Sequence, residues 1–158
     1  MNGQSRRTWR CRLKVYLAAR YDRREEMCRY AEILRELGHQ VPARWLLGTH
    51  QIDPNPEKVD EDAENVPIEA APFAQDDYED IRDCDCLVFF SEPATTYSKR
   101  GGRHVEFGLA LAWGKRVCVI GPAENVFHRL PEVVIYPTWG AFMEYQRDSQ
   151  APGSPPGA

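Results

Sequence analysis

Glu106 is the only charged residue in an otherwise apolar stretch that runs from Val105 to Trp113. Such a stretch is typical of a buried helix, and a buried carboxylate without a partner is destabilising unless it has a task. The pair Gly101-Gly102 directly precedes it, lets the backbone approach a ligand, and places free N–H groups of the helix start near an anion. The pattern indicates a ligand site with a reactive carboxylate. The alternative is a surface glutamate in a first helical turn, where the helix dipole favours it.

A second carboxylate, Asp77, lies in an acidic helix that precedes the next apolar strand. Two carboxylates facing one crevice can cleave a glycosidic bond, because one attacks or stabilises the sugar cation while the other moves a proton. Glu106, near a helix start, would be kept ionised by the helix dipole and fits the nucleophile. Asp77 fits the proton-transfer role.

The elements that must position these residues alternate between strand and helix. Short apolar runs predict five strands, at 13–19, 39–46, 85–90, 115–120 and 133–136. Pro42 places the second strand at a sheet edge, because proline cannot donate to a central ladder. Helical spacing, with Asp22 as an N-cap and Gly38 as a terminator, predicts helices at 23–37, 73–83, 105–113 and 137–145 and a helical turn at 125–130.

This alternation predicts a single-domain, doubly wound α/β fold of the flavodoxin or Rossmann type, with a five-stranded parallel sheet in the order 2-1-3-4-5. In that order the first and third strands are neighbours, and the crevice beyond their carboxyl ends is the expected ligand site. The loops that border the crevice are 20–23 and 91–103, and the second leads into Glu106. Topology and the Glu106 stretch therefore select the same crevice.

The length of 158 residues fits one domain over 13–147, between a flexible segment 1–12 and a disordered tail 148–158. The segment 48–72 is a long acidic, proline-rich loop that we interpret as a mobile lid, with disorder as the alternative.

Composition restricts the partners and the compartment. The net charge of −4 argues against a nucleic-acid polymer as partner. No apolar run is long enough to span a membrane, and the amino terminus lacks the apolar core of a signal peptide. The five cysteines lack zinc or thioredoxin spacing and are interpreted as reduced core residues of a cytoplasmic protein.

No cofactor or metal ion is expected. Gly101-Gly102 matches neither a Walker nor a Rossmann fingerprint, so it does not indicate ATP or NAD. His104 has no second histidine or cysteine at ligand spacing, so we expect no metal site. Ser91 and Ser98 lack the Gly-x-Ser-x-Gly context of a nucleophile elbow.

Three features resemble the nucleoside 2-deoxyribosyltransferase superfamily, which includes the nucleotide N-glycosidases. They are the strand at 15–18 leading into a helix, Asp77 placed eight residues before Asp85, and Gly102-x-x-x-Glu106-x-Gly108 followed by Ala110 and Gly114-Lys115. The match covers about 13–139. It implies Glu106 as the nucleophile that attacks C1′ of the sugar and Asp77 as the residue that assists proton transfer and binds the sugar.

The resemblance also implies the substrate and the assembly. The substrate is a small nucleoside or nucleotide, and the protein is a homo-oligomer in which a neighbouring subunit completes each site. Asn125 and His128 are candidates for that contribution. The family's first loop lines the base and sugar pocket, which corresponds here to Ala19, Arg20 and Tyr21. In the second crevice loop, the predicted substrate-binding residues are Ser91, Gly101 and Gly102.

Basic residues near the crevice are candidates for binding a 5′-phosphate, because arginine contacts phosphate oxygens in bidentate fashion. With Arg20, the candidates are Arg23, Ser98, Lys99, Arg100 and Arg103. A solvated basic loop is the alternative.

The leading functional hypothesis is a deoxyribosyltransferase-like enzyme that cleaves or exchanges the N-glycosidic bond through a covalent glycosyl-Glu106 intermediate. One alternative is a nucleoside 5′-monophosphate N-glycosidase. The other is a catalytically silent nucleotide-binding module, since fold does not fix function. The presence of both Glu106 and Asp77 favours an enzyme.

Overall fold

The computed structural model describes residue 9 and the ranges 11–50, 70–93 and 101–148. Its strands are β1 (Val15–Ala18), β2 (Cys86–Phe90), β3 (Arg116–Ile120) and β4 (Val133–Tyr136). Its helices are α1 (Arg24–Glu36), α2 (Ala71–Asp83), α3 (Gly102–Ala112) and α4 (Trp139–Asp148). Residues 51–69 of the predicted lid and 149–158 of the predicted tail lie outside the described residues, whereas Asp148 is the last residue of α4.

The strands form one parallel sheet of four in the order β1-β2-β3-β4. Every residue of β1 and β2 is buried, as expected of parallel strands covered by helices. The arrangement is consistent with the predicted doubly wound fold. It places β1 and β2 side by side, which is the strand arrangement that the predicted ligand site requires.

The predicted strand over 39–46 does not form, so the five-stranded order is wrong in its first member. One isolated bridge, through Gln40, extends the sheet beside β1 before the chain turns away. Pro42 has no N–H to continue a ladder. The indole Nε1 of Trp45 instead donates to Leu17 O of β1 at 2.9 Å, which satisfies a carbonyl that a fifth strand would have bound.

The first helix begins later than predicted and without the predicted cap. Asp22 lies in a 3-10 turn over Tyr21–Arg23 and pairs with Arg20 at 2.7 Å, and α1 has no side-chain cap. Gly38 ends α1 with a φ of 88°, as predicted from the residue type. None of the helices in the described ranges is long and apolar enough to cross a bilayer.

Trp9 is buried although it falls within the segment 1–12 that was predicted to be flexible. Its ring is 2% exposed and meets His39 and Phe142 edge-on, with each pair of ring centroids 5.1 Å apart. An indole burial of this size adds a large apolar area to the core. The prediction of a flexible segment is therefore wrong at this residue.

All five cysteines are free thiols. Cys84, Cys86 and Cys118 are buried and Cys28 is half-buried, in line with the predicted core role. Cys11 is exposed, so that role is wrong for Cys11.

Candidate active site

Side chains from three elements meet at the candidate site: Tyr16 from β1, Asp77 from α2 and Glu106 from α3. The Tyr16 hydroxyl donates to Glu106 Oε1 at 3.1 Å. Burial, Glu106 and Asp77 all raise the pKa of Tyr16, which keeps the phenol protonated as a donor. The structure thus brings together the two carboxylates predicted from the sequence. Tyr16 was not singled out, although a tyrosine inside an apolar strand is a signal for a buried hydroxyl with a partner.

Burial, followed by the negative charge of Asp77, raises the pKa of Glu106 to about 8. The hydrogen bond from Tyr16 and the charge of Arg103 act in the opposite direction. Because α3 begins at Gly102, Glu106 lies beyond its first turn, where the dipole effect has largely decayed. The expectation that the dipole keeps Glu106 ionised is therefore wrong for this chain.

Burial also raises the pKa of Asp77, to about 6. His50 and Tyr16 lower it, whereas the negative charges of Asp80 and Asp76 raise it. Between about pH 6 and pH 8 the Asp77–Glu106 pair therefore holds one proton. Interacting carboxyl groups titrate as a pair, so a single proton can reside on either of them. This is the state in which one carboxyl can act as an acid while the other is a nucleophile.

We expect Tyr16→Phe to raise the pKa of both site carboxyl groups, because the lost hydroxyl lowers both of them. A hydrogen bond to a charged group corresponds to a shift of about one unit. Titration of the carboxyl carbons by 13C NMR measures this directly. Tyr30→Phe is the matched control, because it removes a similar bond, to Glu26 Oε1 at 3.0 Å. Equal titrations in Tyr16→Phe and wild type would contradict the assigned hydrogen bond.

His50 lies against the site and was not predicted. Its Nδ1 is 3.4 Å from Asp77 Oδ1, and its Nε2 is 3.3 Å from Asp76 Oδ2. The ring stacks on Phe73, with centroids 4.9 Å apart and planes at 24°. His50 belongs to the segment 48–72, which the sequence presented only as a long polar loop. No local signal in the sequence indicated that this histidine packs against α2.

Arg44 binds the central part of α2 next to the site. Its guanidinium reaches Asp76 at 2.6 Å, Glu79 at 3.1 Å and Asp80 at 2.9 Å, and its backbone N–H donates to Asp80 Oδ2 at 2.7 Å. The arginine side chain is 39% exposed, so each pair contributes little net stability. Together these pairs fix the orientation of α2 at the site, because they hold Asp76 and Asp80, which precede and follow Asp77 in the helix.

The sequence was also compared with known proteins. No protein-family model and no curated protein matches it. Among solved structures, a 2-deoxyribosyltransferase from Bacillus psychrosaccharolyticus superposes with a TM-score of 0.58 at 19% identity, over 87% of this chain and 95% of that one. A CMP N-glycosidase from Clostridium botulinum gives 0.52 at 20%, over 83% and 94%. This chain shares their fold. At such identities the likeness establishes the fold alone, and that fold agrees with the resemblance found in the sequence.

The residues predicted to bind substrate differ in their exposure to solvent. Gly101 and Gly102 are exposed at the start of α3, and a Cβ on either would meet nothing within 4 Å. Tyr21 is partly buried near Trp45, and Ala19 packs against the core. Ser91 is buried, and its hydroxyl donates to Ile120 O at 3.0 Å. The hydroxyl of Ser91 is therefore already occupied by the end of β3.

The described arginines predicted to bind a phosphate are all paired with carboxylates. Their partners are Asp22 for Arg20 at 2.7 Å, Glu26 and Glu92 for Arg23 at 2.7 and 3.0 Å, and Glu124 for Arg103 at 2.5 Å. Arg103 is only 5% exposed, so the alternative of a solvated basic loop is wrong at this position. A phosphate would have to displace these carboxylates. Ser98, Lys99 and Arg100 lie outside the described residues.

Asn125 and His128 face the interior of their own chain. Asn125 caps the 3-10 turn over Val126–Arg129, and its Nδ2 lies 3.4 Å from His128 Nε2 and 3.5 Å from His104 Nδ1. His128 is 0% exposed, and burial lowers its pKa to about 4. A side chain enclosed in this way cannot reach a neighbouring subunit's site, which excludes His128 from that predicted role.

Proposed function

We propose that this chain is a deoxyribosyltransferase-like enzyme that cleaves or exchanges the N-glycosidic bond of nucleosides. The observation that carries the proposal is the placement of Asp77 and Glu106 together beside the buried hydroxyl of Tyr16, where burial raises the pKa of both carboxyl groups. A silent nucleotide-binding module has no need for a half-buried pair of carboxyl groups whose ionisation is unfavourable. The shared fold with two N-glycosidic-bond enzymes supports the same conclusion.

In the first step, the ionised Glu106 attacks C1′ of the sugar and forms an ester with it. The C1′–N bond breaks, its electron pair stays on the base nitrogen, and the base takes the proton of Asp77. In the second step, an incoming base or water gives a proton to Asp77 and attacks C1′, which releases Glu106 as a carboxylate. Tyr16 donates to Glu106 and stabilises its charge whenever the carboxylate is free.

The ionised Glu106 required for attack is the less populated form of the one-proton pair. Because the proton moves within the pair, the proportion of that form does not change with pH while one proton is held. Activity should therefore follow a bell-shaped profile whose limbs report the titrations of the pair, near pH 6 and pH 8.

A nucleoside 5′-monophosphate N-glycosidase is the second candidate. Two observations favour it: α3 begins at open glycines with no acidic residue in its first turn, where an anion is stabilised, and one structural neighbour is a CMP N-glycosidase. The pairing of the described arginines with carboxylates favours the nucleoside instead.

We expect deoxynucleosides and their monophosphates to give kcat/KM values within about a factor of ten, because the described arginines are already paired with carboxylates that a phosphate would have to displace. The test compares both substrate classes, with and without added free base, by chromatography of the released base. The Glu106→Ala protein controls for contaminating enzymes. A preference of about a hundredfold for the monophosphate, without base exchange, would establish the second candidate instead.

The homo-oligomer implied by the resemblance remains part of the proposal. The outer face of α3 is apolar and exposed at Val105, which is 63% accessible, and at Gly108 and Ala112. A Cβ on Gly108 would meet nothing within 4 Å inside the chain, so this chain's own packing does not require the glycine. Light scattering at micromolar concentration tests the assembly, and a fully active monomer would contradict it.

A further inference from the structure

We propose that His50 is a positioning residue that holds the carboxyl of Asp77 in place for proton transfer and connects it to Asp76. The proposal rests on the proposed function of Asp77. His50 lies outside the three side chains that would carry the chemistry, and its place on the site is visible only in the folded chain.

The geometry places the imidazole between two carboxylates. Nδ1 faces Asp77 Oδ1 at 3.4 Å and Nε2 faces Asp76 Oδ2 at 3.3 Å. A neutral imidazole donates through one nitrogen, whereas a protonated one donates through both. The His50 side chain is only 5% exposed, so water has little access to replace either contact. The ring therefore responds directly to the proton content of Asp77.

The ring is held from two further directions. Phe73 stacks on its face and fixes its plane. Behind it, Asp76 uses its other oxygen, Oδ1, to bind Arg44 at 2.6 Å. The result is a chain of contacts from Arg44 through Asp76 and His50 to Asp77. This chain of contacts sets the orientation of Asp77, because Asp76 and His50 are each held by a contact on either side.

The last contact of this chain is longer than a normal hydrogen bond. His50 Nδ1 and Asp77 Oδ1 are both buried, and neither has a hydrogen bond of normal geometry. Their separation of 3.4 Å exceeds the usual range for such a bond. Buried polar atoms left in this state are unfavourable, and catalytic hydrogen bonds commonly shorten when substrate binds. A small movement of Asp77 towards His50 completes the bond.

The charges that face Asp77 define what loss of His50 should do. Tyr16 faces it from β1, Glu106 from α3, and Asp76 and Asp80 from its own helix, while Arg44 pairs with the last two. Burial raises the pKa of Asp77 most, and the charge of His50 lowers it. Removing the imidazole must therefore raise the pKa of Asp77.

The test is His50→Gln, which keeps a polar side chain and removes the charge. The first readout is 13C NMR of the Asp77 carboxyl in the substrate-free protein, where we expect the titration to move up by about one unit. The second is the pH profile of kcat, whose acid limb should move up by the same amount, with kcat reduced more than KM is changed. His39→Gln is the matched control, since His39 is a buried histidine whose Nδ1 accepts from Leu13 N–H.

The outcomes separate the two proposals. If His50→Gln folds and lowers kcat, but neither the Asp77 titration nor the acid limb moves, His50 has a structural role only and the inference is wrong. If His50→Gln does not fold, the reciprocal variant Asp77→Asn decides: it must change the 15N chemical shifts of the His50 ring nitrogens, which report their hydrogen bonding, and unchanged ring shifts overturn the inference. If the wild-type protein cleaves no N-glycosidic bond, the proposed function fails, while the NMR titrations still decide whether His50 and Asp77 are coupled.

Discussion

Glu106→Ala is expected to lower kcat by about four orders of magnitude or more, because the proposed covalent step has no other nucleophile. The measurement is release of free base from the best nucleoside substrate. Glu144→Gln, which changes an exposed helical glutamate, is the matched control and should retain wild-type turnover. Wild-type turnover in Glu106→Ala would show that the crevice has been assigned incorrectly.

The same position should show an unusual dependence of stability on pH. The pKa of Glu106 rises from an ordinary 4.5 to about 8 in the folded chain, mainly through burial. Its contribution to stability is therefore complete below pH 4.5 and is lost as the pH rises through about 8. Glu106→Gln, which stays neutral, should raise Tm by several degrees above pH 8 and leave it nearly unchanged near pH 5. A fall in Tm at high pH would reveal a stabilising partner for the carboxylate.

Asp77→Asn is expected to lower kcat for ordinary nucleosides by about two to four orders of magnitude, because the leaving base no longer receives a proton. With a substrate whose base leaves without protonation, the first step should recover while the second, which needs a base, stays slow. The sugar should then accumulate on Glu106, as a mass increase in the intact protein. Asp83→Asn, in which the altered side chain is 63% exposed, serves as the control.

Recovery of kcat without a covalent adduct would argue that Asp77 acts in the first step only. An equal loss of kcat for both substrates would argue that Asp77 binds the sugar and does not transfer a proton. The two substrates therefore distinguish the roles that the resemblance assigns to this residue together.

The sequence was sufficient to predict that Asp77 and Glu106 lie together, because their signals are local: an isolated charge in an apolar helix and an acidic helix before a buried strand. It was not sufficient to predict the ionisation of Glu106. A pattern locates a helix approximately, and the actual start at Gly102 moves Glu106 past the first turn. Burial by β1 and α2 then outweighs the dipole, and burial of this kind is a property of the folded chain.

The remaining differences arise from contacts between distant parts of the chain. The apolar run at 39–46 has the composition of a strand, but Trp45 bonds to β1 through its side chain in place of a backbone ladder. Arg103 meets Glu124, which is 21 residues away, so a sequence that shows only a basic loop gives no sign that its charge is neutralised. His50 likewise contacts a residue 27 positions away, Asp77, and the sequence gives no sign of that contact either.

Arg44 and Trp45 are adjacent in the chain, yet they hold opposite sides of the site. Trp45 is bonded to β1 next to Tyr16, and Arg44 is bonded to α2 on either side of Asp77. The peptide bond between Arg44 and Trp45 thus connects these two contacts and limits the distance between the Tyr16 phenol and the Asp77 carboxyl group. The fold itself therefore brings the two groups close together, so that in the proposed reaction little binding energy would be consumed in assembling them.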